Sequence, residues 1–356
     1  MIVDAVENIR IGHALLPHFR SQAFCKRLAI SATTVLPFAI LTVAASLPAT
    51  SRRRILHIGT IWSKTTPSAE DPRRTVKAAL GEKRQPVIGP YSRDAGEDIR
   101  MAEYFRLRQI CLVANDLARV IADMRAIFGV KLAYQDPHVR RYGLENALFP
   151  FGLSFVEVVA PVEPDTAAGR FLERSGGIGG YMAIFSCSDP ERRARHANAL
   201  GVRTAHTIDH AGFHAVQLHP RDCRAAMIEF DRTDGGEDLR DAYAPAGGTG
   251  WTQAIKTDVT RRLVEIVIES ADPGGIGRHW SAILEQPFVS DREGGRIAVE
   301  MTGIRFAKGG DQRETLRTLN IEVADRSGIE KRALQRGYKV TGAGIEFCGV
   351  RFELTG

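Results

Sequence analysis

The chain has 356 residues, long enough for two domains, and its 44% hydrophobic and 25% charged residues are ordinary for a soluble globular protein. A formal net charge of +6 does not indicate a nucleic-acid-binding surface here. Residues 1–100 hold 15 basic and 8 acidic residues, whereas the remainder holds 33 and 34. Five scattered cysteines without a CxxC pair argue against a disulfide framework and a zinc ribbon, and favour a reducing, cytoplasmic setting.

Residues 1–100 differ in composition from the rest of the chain. Residues 28–48, LAISATTVLPFAILTVAASLP, form an apolar run with basic residues on both sides. A run of roughly 20 apolar residues is typical of a membrane span, and it also suits the core of a signal peptide. The rest of this extension is rich in arginine and proline, which predicts a poorly ordered segment. A third interpretation is that the natural protein starts at Met101 and that residues 1–100 are upstream sequence. A membrane partner is expected only if the apolar run belongs to the natural protein.

One pattern occurs four times after Met101: a strand, an aspartate, a helix and a helix stop. The copies cover residues 108–132, 180–204, 264–288 and 316–340. The aspartates, which are suited to cap the following helix, are Asp116, Asp189, Asp272 and Asp325. Gly129, Gly201 and Gly337 stand where a helix C-cap is expected in three copies, and the third copy has Gln286-Pro287 instead.

Each copy closes on a similar final strand, at residues 154–161, 225–232, 302–309 and 348–355. The pattern predicts an α+β protein of four βαβββ modules. Because one such module cannot bury its sheet face alone, the modules are expected to pair into two domains. The predicted division is a first domain at 101–235, a linker at 236–250 with linker composition, and a second domain at 251–356.

This order of elements resembles the vicinal oxygen chelate superfamily of glyoxalases, bleomycin-resistance proteins and dioxygenases. The resemblance extends over residues 104–356 and implies two mixed cupped sheets, each formed by two modules around a central pocket, with the ligand pocket in the domain at 101–235. In four-module relatives that resemble extradiol dioxygenases, one pair carries the chemistry and the other is largely structural. TAAGRFLERSGGIGGYM (166–182) and HPRDCRAAMIEFDR (219–232) also resemble segments of methylmalonyl-CoA epimerase.

The resemblance implies a divalent metal held by the first and last strands of paired modules. In the first pair these positions are Gln109, Glu157, Met182 and Glu229, three of the four ligand types of the glyoxalase I pattern. Met182 stands where a histidine is usual, and a thioether is a weak ligand for cations with oxygen partners. The candidate metals are Zn, Ni, Mn, Fe and Co. No nucleotide cofactor is expected, because the chain lacks the usual phosphate-binding motifs.

His219 is a candidate for the missing imidazole. If residues 220–224 form a short hairpin loop, Gln217, His219 and Glu229 point to one face of the sheet. The alternative is a histidine at the edge of a loop before a proline. The histidines at 206, 210 and 214 are interpreted as loop and strand residues at the rim of the pocket.

The corresponding positions of the second pair are Glu265, Thr318, Arg305 and Glu353. A guanidinium at a ligand position argues against a metal and predicts an internal salt bridge. The second pair is therefore expected to be structural.

Three interpretations of Glu229 stay open: a residue kept for the fold or facing solvent, a metal ligand in an altered site, or a metal-free general base whose pKa burial raises. The leading hypothesis is a small-molecule enzyme of the isomerase or lyase type, with Glu157 and Glu229 as proton-transferring or metal-binding residues. One alternative is a non-catalytic binding protein of the bleomycin-resistance type. Another, an extradiol-dioxygenase-like enzyme, needs a 2-His-1-carboxylate site that the sequence does not display. The expected partner is a small molecule and not a nucleic acid, and a homodimer is left open.

Overall fold

The computed structural model describes residues 103–310, 313–342 and 344–356, together with the backbone of two N-terminal strands. The chain divides into two compact units, Met1–Ser92 and Arg93–Gly356. In the first unit, β1 (Leu28–Val35) and β2 (Phe38–Ala45) pair antiparallel within the predicted apolar run. Among the described residues no helix has both the length and the apolarity to cross a membrane. The other predictions for residues 1–100 lie outside the described residues.

The second unit contains the four predicted copies in chain order. The first copy comprises β3 (Phe105–Val113), α1 (Leu117–Phe128), β4 (Leu144–Phe151) and β5 (Ser154–Pro161). After α2 (Ala167–Ser175), the second comprises β6 (Met182–Cys187), α3 (Pro190–Ala199), β7 (Thr204–His210), β8 (Phe213–Leu218), the short α4 (Pro220–Cys223) and β9 (Met227–Thr233). In the first copy, one strand of the predicted βαβββ order is reduced to a single bridge between Tyr134 and Leu148.

The last two copies complete the βαβββ order. The third consists of β10 (Thr260–Ser270), α5 (Pro273–Leu284), β11 (Phe288–Asp291), β12 (Gly294–Ala298) and β13 (Gly303–Lys308). The fourth consists of β14 (Thr315–Val323), α6 (Arg326–Gln335), β15 (Val340–Thr341), β16 (Gly344–Phe347) and β17 (Val350–Thr355). All four predicted final strands are present, within two residues of their predicted starts.

Two mixed sheets combine the copies in pairs. The first has the order β4-β5-β3-β6-β9-β8-β7, and the second has the order β11-β12-β13-β10-β14-β17-β16-β15. In each sheet the first strands of two copies pair antiparallel, and each of them pairs parallel with the last strand of its own copy. The predicted α+β class with two cupped mixed sheets is therefore confirmed.

The aspartates that were predicted to cap the four helices do so in the structure. Each capping aspartate accepts a hydrogen bond of 2.8–2.9 Å from the backbone N–H three residues later, and so satisfies a donor that the first turn leaves free. Gly129 ends α1 in the left-handed conformation at φ 68°. In the third copy, Glu285 ends α5 in the same conformation at φ 52°, although it has a side chain. That position carries a strain that glycine avoids in the other copies.

The helix-bearing faces of the two sheets share one apolar core. Phe128 of α1 packs against Phe347 and Phe352 of the second sheet, with ring centroids 5.5 Å and 4.8 Å apart. The indole Nε1 of Trp280 in α5 donates to the carbonyl of Cys223 at 3.0 Å. Because one face of each sheet is used for this core, the opposite face of each is left to form a cup.

Candidate functional site

The cup of the first sheet brings the two predicted glutamates to one face. Glu157 lies on β5 beside Cys111 of β3, and Glu229 lies on β9 beside Ile184 of β6. The cup face also carries Met182, and only 8% of Glu157 and 5% of Glu229 are exposed. Among the described residues neither carboxylate forms an ion pair with a basic side chain. Two buried carboxylates without a neutralising cation are costly, which marks this face as unusual.

Glu157 is fixed by two amides. Oε1 accepts a hydrogen bond from Nδ2 of Asn146 at 2.7 Å, and Oε2 accepts one from Nε2 of Gln109 at 2.9 Å. Burial raises the pKa of Glu157, while hydrogen bonds from Asn146, Cys111 and Gln109 oppose that rise. Burial also raises the pKa of the Cys111 thiol well above its ordinary value, with the nearby Glu157 as a second cause. Glu157 is therefore a rigidly oriented acceptor with a neutral thiol beside it.

Glu229 is held less tightly. Its Oε2 accepts one hydrogen bond, from Nε2 of Gln217 at 2.8 Å, and in the described part of the chain Oε1 receives none. Burial raises the pKa of Glu229 to about 8, assisted by the charges of Asp231 and Glu157 and opposed by the bond from Gln217. A carboxyl group with a pKa in this range is part protonated and part ionised near neutral pH, which suits proton transfer.

A buried hydrogen-bond chain connects the cup to residues that the sequence analysis missed. The hydroxyl of Tyr243 lies 3.1 Å from Oε1 of Gln109 and 3.2 Å from Oδ2 of Asp231. The single hydroxyl proton of Tyr243 is shared between these two acceptors, and a donor at Oε1 orients the amide of Gln109 so that its NH₂ group faces Glu157. Burial raises the pKa of Asp231 to about 6, with hydrogen bonds from Ser186 and Tyr243 opposing it. Tyr243 and Asp231 thus orient the amide that orients Glu157.

The predicted linker at 236–250 connects the two sheets and also closes one end of the cup. Tyr243 of the linker is 2% exposed and stacks on Phe155 of β5, and Trp251, directly after the linker, is 1% exposed and packs edge-on against the same ring. The guanidinium of Arg108 lies 5.1–5.5 Å from the ring centroids of these three aromatic residues, and it donates to the carbonyl of Leu239 at 2.7 Å. The signal available in the sequence was the pair of large aromatics within a glycine-rich stretch, which pure linker composition does not explain.

The opposite end of the cup is closed by α2. Thr166 caps this helix by accepting from the N–H of Gly169 at 2.9 Å. Phe171 packs on Tyr181 with ring centroids 5.1 Å apart, and Met182 joins the same apolar cluster. Met182 therefore occupies the predicted ligand position as an apolar lining residue.

Two of the three predicted rim histidines lie on the cup side. His206 and His210 are on β7, where His206 Nε2 lies 2.9 Å from the hydroxyl of Tyr142, and His210 stacks on His138 at 5.9 Å between ring centroids. His214 is different, because its Nε2 contacts Glu191 at 3.0 Å beside α3. The predicted absence of a helix at these positions is confirmed by the β7–β8 hairpin.

His219 is not brought to the two glutamates. Residues 220–223 form the short helix α4 in place of the predicted hairpin loop, and His219 Nδ1 accepts from the N–H of Arg221 at 3.3 Å as its cap. The same nitrogen lies 3.3 Å from Nη2 of Arg203. Gln217 does point toward Glu229 as predicted, so the register was right and the helix turn displaced only the histidine.

The residues at the predicted metal positions do not fit a metal ion in this arrangement. The oxygens of Glu157 already accept amide donors, and Oε1 of Gln109 faces Tyr243. Within the described ranges, no three His, Cys, Asp or Glu side chains are grouped so that they could hold a metal. A soft thioether at Met182 does not replace the missing ligand. The chemistry proposed for the cup therefore uses no metal ion.

The second cup is polar in a different way. Arg305 Nε lies 3.9 Å from Oε2 of Glu265, which is the predicted internal ion pair, and its Nη1 lies 3.3 Å from Glu293. Thr318 accepts a hydrogen bond from Nη2 of Arg351 at 2.9 Å. Here Arg305 and Arg351 each pair with a carboxylate, whereas no basic side chain among the described residues pairs with Glu157 or Glu229.

Comparison with known proteins agrees with this architecture. Residues 110–284, from β3 to the end of α5, match the model of a family described as a glyoxalase-like domain. No match is found among the curated proteins. The crystal structure of a hypothetical protein from Staphylococcus aureus, at 11% identity, aligns with a TM-score of 0.51 over 70% of this chain and 99% of its own.

Epimerase structures align with a smaller part. A variant of Streptomyces coelicolor methylmalonyl-CoA epimerase in complex with 2-nitronate-propionyl-CoA is 21% identical, with a TM-score of 0.33 over 36% of this chain and 96% of its own. The Mycobacterium tuberculosis methylmalonyl-CoA epimerase is 20% identical, with a TM-score of 0.33 over 36% and 87%. The glyoxalase-like match over residues 110–284 and the alignment with the Staphylococcus aureus structure agree with the observed fold of paired modules.

Proposed function

We propose that the first cup catalyses proton transfer at a carbon next to a carbonyl group, with Glu229 as the proton carrier and Glu157 as its partner. The observation that carries this proposal is the pair of buried carboxylates with different surroundings. Glu157 is held by two amide donors, whereas Glu229 has one donor and a pKa near 8. Paired carboxyl groups in unequal environments are the usual arrangement for acid–base catalysis.

The chemical step needs no group beyond these carboxylates and the substrate. Ionised Glu229 takes the proton from the α carbon, and the electron pair of the broken C–H bond moves to the carbonyl oxygen as an enolate. If the enolate turns in the cup, protonated Glu229 returns its proton to the other face of the carbon, which inverts it and is isomerase chemistry. If a bond to a leaving group on the next carbon breaks, the enolate electron pair forms the C=C bond and Glu229 gives its proton to the departing group, which is lyase chemistry. The closed cup keeps water away from the enolate.

The test is solvent deuterium exchange. The protein is incubated in D₂O with a panel of α-branched carbonyl compounds that includes methylmalonyl-CoA, and deuterium at the α carbon is followed by NMR. We expect exchange in at least one compound, abolished in Glu229→Gln and strongly reduced in Glu157→Gln. The matched control is Glu353→Gln, at the equivalent position of the fourth copy, which should exchange at the wild-type rate.

Elemental analysis of chelator-free protein accompanies this assay. The occupied oxygens of Glu157 lead us to expect well under one Zn, Ni, Mn, Fe or Co per chain. Near one metal per chain, lost in both Glu157→Gln and Glu229→Gln, would overturn the metal-free mechanism.

A second candidate is a non-catalytic binding protein of the bleomycin-resistance type. It is favoured by the apolar packing of Met182 in the cup and by the position of His219 outside it. Ligand-induced stabilisation of the protein by a panel compound that undergoes no exchange would support this function and contradict catalysis.

A further inference from the structure

The first sheet curls so far that residues at or next to its two edge strands contact each other. The edges are β4 and β7, yet Tyr142, just before β4, contacts His206 of β7 through the 2.9 Å hydrogen bond and a ring pair 5.5 Å apart. His138, in the 3₁₀ turn Pro137–Tyr142, stacks on His210. These four residues, His138, Tyr142, His206 and His210, form a contact that we name the edge clasp.

The edge clasp lies on the cup side of the sheet. His206 is paired with Gln217, and Gln217 is paired with Glu229, so the three side chains point to the same face. At the other edge, Asn146 of β4 follows Tyr142 in the chain and donates to Glu157. The clasp therefore joins the two edges on the face where both glutamates lie.

Of the three closures of the cup, the edge clasp is the weakest. Tyr243 and Trp251 at one end are 2% and 1% exposed, and Ala168 of α2 at the other end is fully buried. Tyr142 in the clasp is 37% exposed, and within the part of the chain that the structure describes its hydroxyl makes one hydrogen bond, to His206. Solvent-exposed contacts of this kind open at lower free energy than buried aromatic packing.

We propose that the edge clasp is the gate through which small molecules reach the cup. Parting it requires movement of only the 3₁₀ turn Pro137–Tyr142, which holds none of the side chains that donate to Glu157 or Glu229. The proposal rests on the proposed function only in taking the cup as the ligand site. Two surface depressions found elsewhere, beside β11–β12 and near the end of α6, lead to neither glutamate.

Cys111 provides a reporter that does not depend on catalysis. It is 1% exposed and lies in the cup beside Glu157, so its thiol reacts only when the cup opens. Wild-type protein and the variants Tyr142→Phe and His206→Gln are treated with iodoacetamide, and labelling of each cysteine peptide is followed by mass spectrometry. Each variant loses one net hydrogen bond of the edge clasp, which should raise the labelling rate of Cys111 by about three- to tenfold.

Two controls make the result decisive. His214→Gln changes an imidazole on the other side of the same hairpin and should leave the Cys111 rate unchanged. Cys187 and Cys223, buried in the shared core, report on global unfolding and should label at the wild-type rate in every variant. Equal Cys111 rates in wild type, Tyr142→Phe and His206→Gln would overturn the gate, as would parallel acceleration at Cys187 and Cys223. Neither result depends on whether deuterium exchange occurs.

Discussion

Replacing Glu229 by glutamine should make the protein more stable at alkaline pH. Glu229 is buried, and its pKa is raised from an ordinary value of 4.5 to about 8. The folded protein therefore binds this proton more tightly than the unfolded chain. The stability is fully present below pH 4.5 and is lost as the pH rises through about 8. Glutamine resembles the protonated side chain in shape and carries no charge, so it does not incur this loss.

The size of the effect follows from the same two values. Each unit of pH between them corresponds to about 1.4 kcal/mol, so the full loss approaches about 5 kcal/mol above pH 8. That is a large fraction of the ~5–15 kcal/mol that stabilises a typical domain. Asp231 also has a raised pKa, so wild-type stability alone does not isolate the effect. The difference between Glu229→Gln and wild type does.

The assay is urea unfolding at one-unit steps from pH 5 to pH 9. The difference in unfolding free energy between Glu229→Gln and wild type should be small at pH 5 and grow in favour of the variant up to pH 8 or 9. Glu353→Gln, at the half-buried equivalent position, should show only the small effect of a surface substitution throughout. A flat difference across this range, or a less stable Glu229→Gln at pH 9, would refute the reasoning.

Two further substitutions test the surroundings of the glutamates. Asn146→Leu removes the side chain that donates a 2.7 Å hydrogen bond to Glu157, and it leaves a buried acceptor unsatisfied. The free energy of unfolding, measured with urea at pH 7, should fall by about 1–3 kcal/mol. An unchanged midpoint would contradict the described contact. Trp251→Ala empties the aromatic closure around Arg108 and should cost about 3–5 kcal/mol in the same assay, whereas a loss below about 1 kcal/mol would show that residues 236–255 are a loose linker.

Much of the fold was predictable because it is encoded by local signals that repeat. The four capping aspartates and the final strands recur at similar spacing, and each copy of the signal strengthens the others. The choice of Glu157 and Glu229 followed from the family resemblance, which implies site residues on the last strand of each module; strand alternation indicated only which neighbours of Glu229 share its face. The pairing of Gln217 with Glu229 was predictable for the same reason.

What was missed depends on contacts between segments far apart in the chain. The hydroxyl of Tyr243 hydrogen-bonds Gln109, which is 134 positions away in the chain. The composition of a glycine-rich stretch does not indicate which of the two cups its aromatic residues will contact. The hypothesis that put His219 beside Glu229 required a hairpin loop at 220–224, and a single helical turn begins at Pro220 instead. Both segments lack sheet periodicity, so their local pattern carries little information.

One position on the final strand of each copy, that of Glu157 in the first copy, shows how the two sheets have diverged. In the second sheet it is occupied by Arg305 and Glu353, and Arg305 is neutralised by Glu265. In the first sheet it is occupied by Glu157 and Glu229, which have no basic partner among the described residues although burial makes their charge costly. A fold under selection for stability alone would gain by replacing one of them with an apolar or basic residue, as the second sheet does. Departures of this kind concentrate where chemistry is performed, so the first cup, and not the second, is the place to look for it.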